Sequence, residues 1–223
     1  MRWLDKKKKT TEKIPYQTVC LKGKTYPGRF DTRKMFAALD IKNSLKDKSF
    51  IDLGCNRGGL VFLAEDCGAS TSVGVDISEK SIREARGIAN EMASRSEFYC
   101  ASIQNFAPKM DSYDFVVCTA VFRHLYADLL KEVRTDITKP RGFLVLDSLD
   151  TLIRQEVGDP PSVVNRFNEI IETMLLAARE RFICSYNDES GLIHRRKDEV
   201  LDYFRDRTDR IENLEIYLYD YNN

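Results

Sequence analysis

The sequence predicts a layered α/β fold built on a largely parallel sheet. Two observations predict it: from residue 49 onward short apolar runs alternate with helix-patterned segments, and a glycine-rich turn closes the first of those runs. Parallel neighbours need a long crossover, and a helix between successive strands supplies one.

The elements follow in order. "SFIDLG" at residues 49–54 is the first strand of the alternation, and helical spacing continues through Leu60, Phe62, Leu63 and Ala64. "TSVGVD" at residues 71–76 is the next strand; Ser78 is a candidate N-cap for a helix with Ile82, Ala85, Ala89 and Met92 on one face. "EFYCAS" and "YDFVVCT" read as the third and fourth strands. Leu125–Thr138 is amphipathic, Pro140 stops it, and "GFLVLDS" makes a fifth strand. After the loop-like "QEVGDPPS", Ser162 is expected to cap a long helix whose Val163, Phe167, Ile170, Met174, Leu175 and Ala178 form a buried stripe. "RFICSY" is a sixth strand, a short helix is expected around Lys197–Phe204, and "ENLEIYLYDY" alternates as a half-buried strand, expected to run antiparallel near a sheet edge.

The 223 residues, 43% of them hydrophobic, suit one substantial domain with an appendage. Net charge is zero, which excludes a wholly basic nucleic-acid coat protein and an acidic disordered chain. The charge is unevenly spread: residues 1–34 hold eleven Lys/Arg against three Asp/Glu, a net of +8, and the remainder carries −8. The expected division is a basic N-terminal arm with a helix packing on the core over 1–48, and an α/β domain over 49–223 with an acceptor lid within 149–210. No run approaches the ~18 apolar residues of a membrane helix, and "MRWLDKKKKT" lacks the apolar core of a secretory signal. The six cysteines form no CxxC pair and no metal spacing. Cys100 and Cys118 are expected as small core thiols, the localisation as cytoplasmic, and no metal is expected.

"IDLGCNRGG" carries the strongest signal. A glycine-rich turn between strand and helix lets a ligand meet the backbone N–H groups at the helix start. A dinucleotide motif counted from Gly54 requires glycine at 56 and finds Asn56. A P-loop is excluded because no G-K-[ST] follows. Asp52 stands at the carboxyl end of the strand, where it can face a cationic ligand group. Asp76 ends the second strand, 22 residues beyond Gly54, the place where a carboxylate accepts both hydroxyls of a ribose. After the third strand, "CASIQNF" offers Ile103 to the face of a flat base, with Gln104 or the nearby main chain at Ser102 to read its edge.

On these residues the sequence resembles the class I S-adenosylmethionine-dependent methyltransferases. "IDLGCNRGG", "VGVDIS", "SYDFVVCTAVFRHL" and "KPRGFLVLD" stand in that family's order over about residues 49–148. The resemblance implies a Rossmann-like methyltransferase fold, a mostly parallel twisted sheet with helices on both faces, and S-adenosyl-L-methionine as cofactor. It implies that Asp52, Gly54 and Gly58, with Cys55 and Asn56 in the same turn, shape the methionine pocket. Asp76 would bind the ribose, Ile77 and Ile103 would sandwich adenine, and Thr119 would flank the methionine end. The segment "YQTVCLKGKTYPGRFDTRKMFAALDI" is more loosely similar to the lead-in of the enzymes that carboxymethylate the tRNA wobble uridine. There a basic residue near the place of Arg33 faces the transferred group, and Arg29 and Arg33 are suited to a carboxylate or phosphate.

Methyl transfer from a sulfonium is an in-line displacement, so positioning carries most of it and a base is needed only for a protonated acceptor. His124, just after the fourth strand, is the first candidate for base or substrate contact. Arg123 and His194 are candidate acceptor contacts. No [ND]PPY and no Pro-Cys follows the fourth strand, which disfavours exocyclic amines of adenine or glutamine and a covalent cysteine mechanism. The expected acceptor is an oxygen or nitrogen of a small molecule, with RNA, tRNA in particular, as the alternative and a non-catalytic methyltransferase-like subunit as the second. No membrane partner is expected, and a homodimer is allowed.

Overall fold

The computed structural model describes residues 14–119, 121, 124–125, 128–129, 132, 161–187 and 214–219. Along the chain come β1 (Gln17–Leu21), β2 (Lys24–Tyr26), β3 (Phe30–Asp31), α1 (Thr32–Ala38), β4 (Ser49–Leu53), α2 (Gly59–Asp66), β5 (Thr71–Asp76), α3 (Glu79–Glu91), β6 (Glu97–Cys100), α4 (Ile103–Phe106), β7 (Tyr113–Cys118), α5 (Pro161–Ala177), β8 (Ala178–Asn187) and β9 (Leu214–Tyr219).

Six strands form the main sheet in the order β6-β5-β4-β7-β8-β9, and every pairing is parallel. β4 is central, and its Phe50, Ile51 and Leu53 are all buried. Period-two alternation splits them between two cores. Ile51 and Leu53 join Val73, Val75 and Val116 under Phe167, Ile170 and Met174 of α5. Phe50 joins Phe115 and Val117 on the other face, against Leu60 and Phe62 of α2 and Ile82 and Ala85 of α3. The sequence therefore dictates helices on both faces, as expected. Sheet order also reverses between β4 and β7. The crevice outside the carboxyl ends of these two strands is where an open parallel sheet receives a ligand.

Ser78 caps α3, its hydroxyl accepting the Ser81 N–H at 3.2 Å. Ser162 is not the cap expected of the long helix. That helix begins at Pro161, a residue whose fixed φ suits the first helical position. The expected stripe is buried from Val163 to Ala178. β9 lies at the sheet edge but runs parallel to β8, contrary to expectation. Alternation specifies which face is buried and leaves direction open, and residues 188–213 are long enough for a parallel crossover. β8 contains "RFICSY" and pairs directly with β7; "GFLVLDS" and the short helix expected near residues 197–204 lie outside the described residues. Residues 161–187, within the stretch expected to form an acceptor lid, instead build α5 and β8 into the body of the fold. Cys118 is buried, whereas Cys100 is exposed because it sits on the edge strand β6.

Residues 14–48 form more than an arm. β1 and β2 make a hairpin through Lys22 and Gly23, both at positive φ, as a tight primed turn requires, and β3 pairs parallel with β1. Val19, Leu21, Met35, Phe36 and Leu39 share the buried cluster of α2 and α3. Lys22 Nζ donates to the carbonyls of Met92 (2.8 Å) and Ala93 (2.9 Å) at the end of α3, where the helix dipole favours a cation. Lys6 to Lys9 lie outside the described residues. No helix among the described residues is long and apolar enough to cross a membrane.

Candidate functional site

The turn after β4 is held against β5: Gly54 and Cys55 both donate their N–H to the Val75 carbonyl, at 2.7 and 3.0 Å. Gly54 has φ +92°, and a Cβ there would stand 2.1 Å from Val121 Cγ2. Only glycine serves both demands. Asn56 has φ +51°, the left-handed conformation that a motif glycine would otherwise supply and that Asn tolerates best among the rest. Its Oδ1 accepts the Arg57 N–H at 3.0 Å, which stabilises that bend locally.

Asp76 is fixed from two sides. Its Oδ2 accepts the Asn56 N–H at 2.8 Å and its Oδ1 accepts the Ser78 N–H at 2.8 Å. Each oxygen keeps a lone pair for a ligand. Asp52 lies deeper, 2% exposed, and its Oδ1 has no hydrogen-bond partner among the described residues. Burial, reinforced by the charge of Asp76, pushes its carboxyl up to about 8. The buried Cys55 thiol is pushed up for the same reasons, burial first and then Asp52 and Asp76.

Above this turn opens a cavity of about 670 Å³. Among the expected residues, Gly54, Asn56, Asp76, Ile77, Ser102, Ile103, Gln104, Thr119 and His124 line it. Ile77 is 66% exposed and Ile103 is buried at the start of α4, so the cavity presents one free and one fixed apolar surface. Gln104 Nε2 donates to Glu132 Oε1 at 2.6 Å, which leaves the buried Gln104 Oε1 unpartnered among the described residues. His124 is exposed at the rim, with its N–H bonded to the Val121 carbonyl at 2.8 Å.

Other expected residues lie elsewhere. Asp52, Cys55 and Gly58 support the turn and do not line the cavity. Arg29 and Arg33 are exposed and outside it. Arg33 forms a two-pronged pair with Asp31, Nε to Oδ1 at 2.9 Å and Nη2 to Oδ2 at 2.7 Å, beside the Asp31 cap of α1. Arg123 and His194 lie outside the described residues.

The cavity has further walls. Tyr16, Gln17, Phe30 and Met35 come from the N-terminal unit; the Tyr16 and Phe30 rings stack with centroids 5.5 Å apart and planes 4° from parallel. Thr119 Oγ1 is 3.8 Å from Met35 Sδ, which closes this wall against the end of β7. Val121, Leu125, Asp128 and Glu132 complete the lining. Helical spacing of Leu125, Asp128 and Glu132 was the available signal for the last three.

Residues 44–202 match a family model described as a methyltransferase domain. Ribosomal protein L11 methyltransferase of Haemophilus ducreyi is 29% identical over 133 residues, 57% of this chain and 43% of that protein. Ubiquinone biosynthesis O-methyltransferase of Bordetella avium is 27% identical over 114 residues, 50% of this chain and 46% of that protein. The chain thus spans less than half the length of these curated relatives. Among solved structures, magnesium protoporphyrin IX methyltransferase from Synechocystis, with bound S-adenosylmethionine, is 21% identical and aligns with a TM-score of 0.43 over 68% of this chain and 55% of that one.

Proposed function

The chain belongs to the methyltransferase-domain family, whose members draw on S-adenosylmethionine, and from that premise we propose that it transfers a methyl group to an oxygen or nitrogen of a small-molecule acceptor. The carrying observation is the cavity of about 670 Å³ over the Asp76 carboxylate. Its size falls in the about 300–1,000 Å³ range of small-molecule sites.

The residues present fit the cofactor. Asp76, already oriented by two main-chain N–H groups, would take the ribose hydroxyls. Ile77 and Ile103 would bracket the adenine, with the unpartnered Gln104 Oε1 available to an amino donor. Gly54 would line the methionine end, and the orphaned Asp52 behind it, protonated in the empty site, would take up negative charge only as a cationic ligand displaces its proton. When bound, S-adenosylmethionine supplies an electrophilic methyl on a sulfonium. This chain's own residues then do the positioning: Thr119 and Met35 wall the methionine end, Tyr16 and Phe30 exclude water, and His124 at the rim would hold the proton of an acceptor hydroxyl or ammonium on its imidazole.

RNA is the second reading, from the basic N-terminus and its likeness to the wobble-uridine enzymes. Against it, Lys22 is committed to the end of α3, Lys24 to Glu91 and Arg33 to Asp31. The test is incubation of the full chain with S-adenosylmethionine labelled in the methyl group and a cell extract separated into low-mass, protein and RNA fractions. Label in the low-mass fraction is expected. Label confined to RNA or to protein overturns the small-molecule reading, and no transfer to any fraction favours a non-catalytic subunit.

A further inference from the structure

We propose that Arg57 is a positioning residue that fastens the N-terminal strand to the methyl-donor cavity as its wall. The inference rests on the S-adenosylmethionine reading of that cavity. Arg57 follows Asn56 in the turn and does not itself line the cavity. Its Nη1 donates to the Gln17 carbonyl at 3.0 Å and to the Pro27 carbonyl at 3.3 Å, and its Nε lies 2.8 Å from Glu84 Oε2. The side chain is 11% exposed. One guanidinium therefore reaches β1, the segment between β2 and β3, and α3.

Each of these pieces is coupled to the cavity. Gln17 lines it, Tyr16 precedes Gln17, and α3 follows directly from Asp76 and Ile77. Nη1 alone takes both carbonyls, while Nε meets Glu84 as an ion pair without a hydrogen bond; a lysine ammonium, a point charge on a flexible stem, cannot sit at both ends of that planar group at once.

A second observation comes from the other side of the same junction. The Gly59 N–H donates to Gln17 Oε1 at 3.3 Å, and a Cβ on Gly59 would stand 2.6 Å from Thr32 Cγ2. Thr32 is fully buried and donates through Oγ1 to the Thr18 carbonyl at 2.5 Å, so it has little room to yield. The first turn of α2 thus admits the N-terminal unit only because residue 59 has no side chain. Arg57 and Gly59 act on one strand: the first ties it down and the second lets it approach.

If Arg57 were only a stabilising ion pair, its loss would lower the melting temperature and leave ligand affinity unchanged. If it positions the wall, affinity changes at temperatures where the fold is intact. The experiment is calorimetric titration of S-adenosylhomocysteine into the full chain and its Arg57→Ala, Arg57→Lys and Gly59→Ala variants, well below each melting midpoint, with amide exchange followed across residues 17–21. Arg57→Ala is expected to weaken binding by about tenfold or more and to speed exchange in β1, as loss of charge-assisted bonds implies. Arg57→Lys is expected to recover only a minor part of the loss. Gly59→Ala, which leaves Arg57 in place, is expected to weaken binding in the same way and is read alone if Arg57→Ala does not fold. Native affinity in Arg57→Ala, or in Gly59→Ala where Arg57→Ala does not fold, or full recovery in Arg57→Lys, overturns the proposal. Absence of binding by the unaltered chain would instead overturn the methyl-donor reading.

Discussion

Asp76 Oδ2 accepts the Asn56 N–H at 2.8 Å, so the carboxylate that faces the cavity also fixes the turn that forms its floor. Removing it disturbs both. Asp76→Ala leaves the N–H groups of Asn56 and Ser78 without their acceptor, a loss of about 1–3 kcal/mol for each group that stays dry. We expect a lowered melting temperature and at least about tenfold weaker S-adenosylhomocysteine binding. Scanning calorimetry and titration on the same preparation measure the two effects separately, and unchanged affinity would remove Asp76 from the site.

Asp52 makes stability depend on pH in an unusual direction. Its carboxyl is raised to about 8 in the folded chain against about 3.9 unfolded. Between those values the native state binds a proton that the unfolded state releases. Stability therefore falls as pH climbs through this window and levels off above it, with a slope approaching about 1.4 kcal/mol per pH unit. Asp52→Asn lacks this slope. Denaturant titrations from pH 5 to 8 should show the variant gaining on the parent; parallel curves would contradict the burial of an uncompensated carboxyl.

Gly54→Ala places a methyl 2.1 Å from Val121 Cγ2 at φ +92°. The expected outcome is loss of several degrees in melting temperature together with weakened cofactor binding, because the turn must move. Adding Val121→Ala should return part of the loss by relieving the clash, with the backbone strain remaining. No recovery in the double variant would mean that strain alone accounts for the effect.

Glu65 offers a contrast outside the site. It accepts from Ser94 Oγ, from the Ser96 N–H at 3.1 Å and from Ser96 Oγ at 2.6 Å. Partial burial opposes ionisation, yet these hydroxyls and the N–H groups of Arg95 and Ser96 hold the carboxyl below its ordinary range. Its contribution is present at neutral pH and is lost as pH falls through that depressed value. Glu65→Ala should cost about 1–3 kcal/mol at pH 7, less in acid, and leave S-adenosylhomocysteine affinity unchanged. Melting curves at two pH values with a parallel titration check all three.

The parts of the fold legible in the sequence are those fixed by local pattern. β4, β5 and β7 read as apolar runs because parallel strands are buried on both faces. α3 was legible from Ser78 and its apolar face, and the floor of the cavity from Asp76 and the glycine turn. Strand direction at β9 was not, since alternation says nothing of polarity. The N-terminal unit was hidden for a different reason: its strands are short, and β3 has only Phe30 and Asp31. Its walls, Tyr16 and Phe30, meet the cavity through tertiary docking that no spacing records. Arg33 was expected to face the transferred group from its likeness to the wobble-uridine enzymes; in the fold it pairs with the nearby Asp31.

The most direct measurement is calorimetric titration of S-adenosylhomocysteine into the unaltered chain. Saturable binding at one site per chain is expected, abolished or strongly weakened by Asp76→Ala and unaffected by Glu65→Ala. Heats that never saturate, or affinity that Asp76→Ala leaves intact, would contradict it.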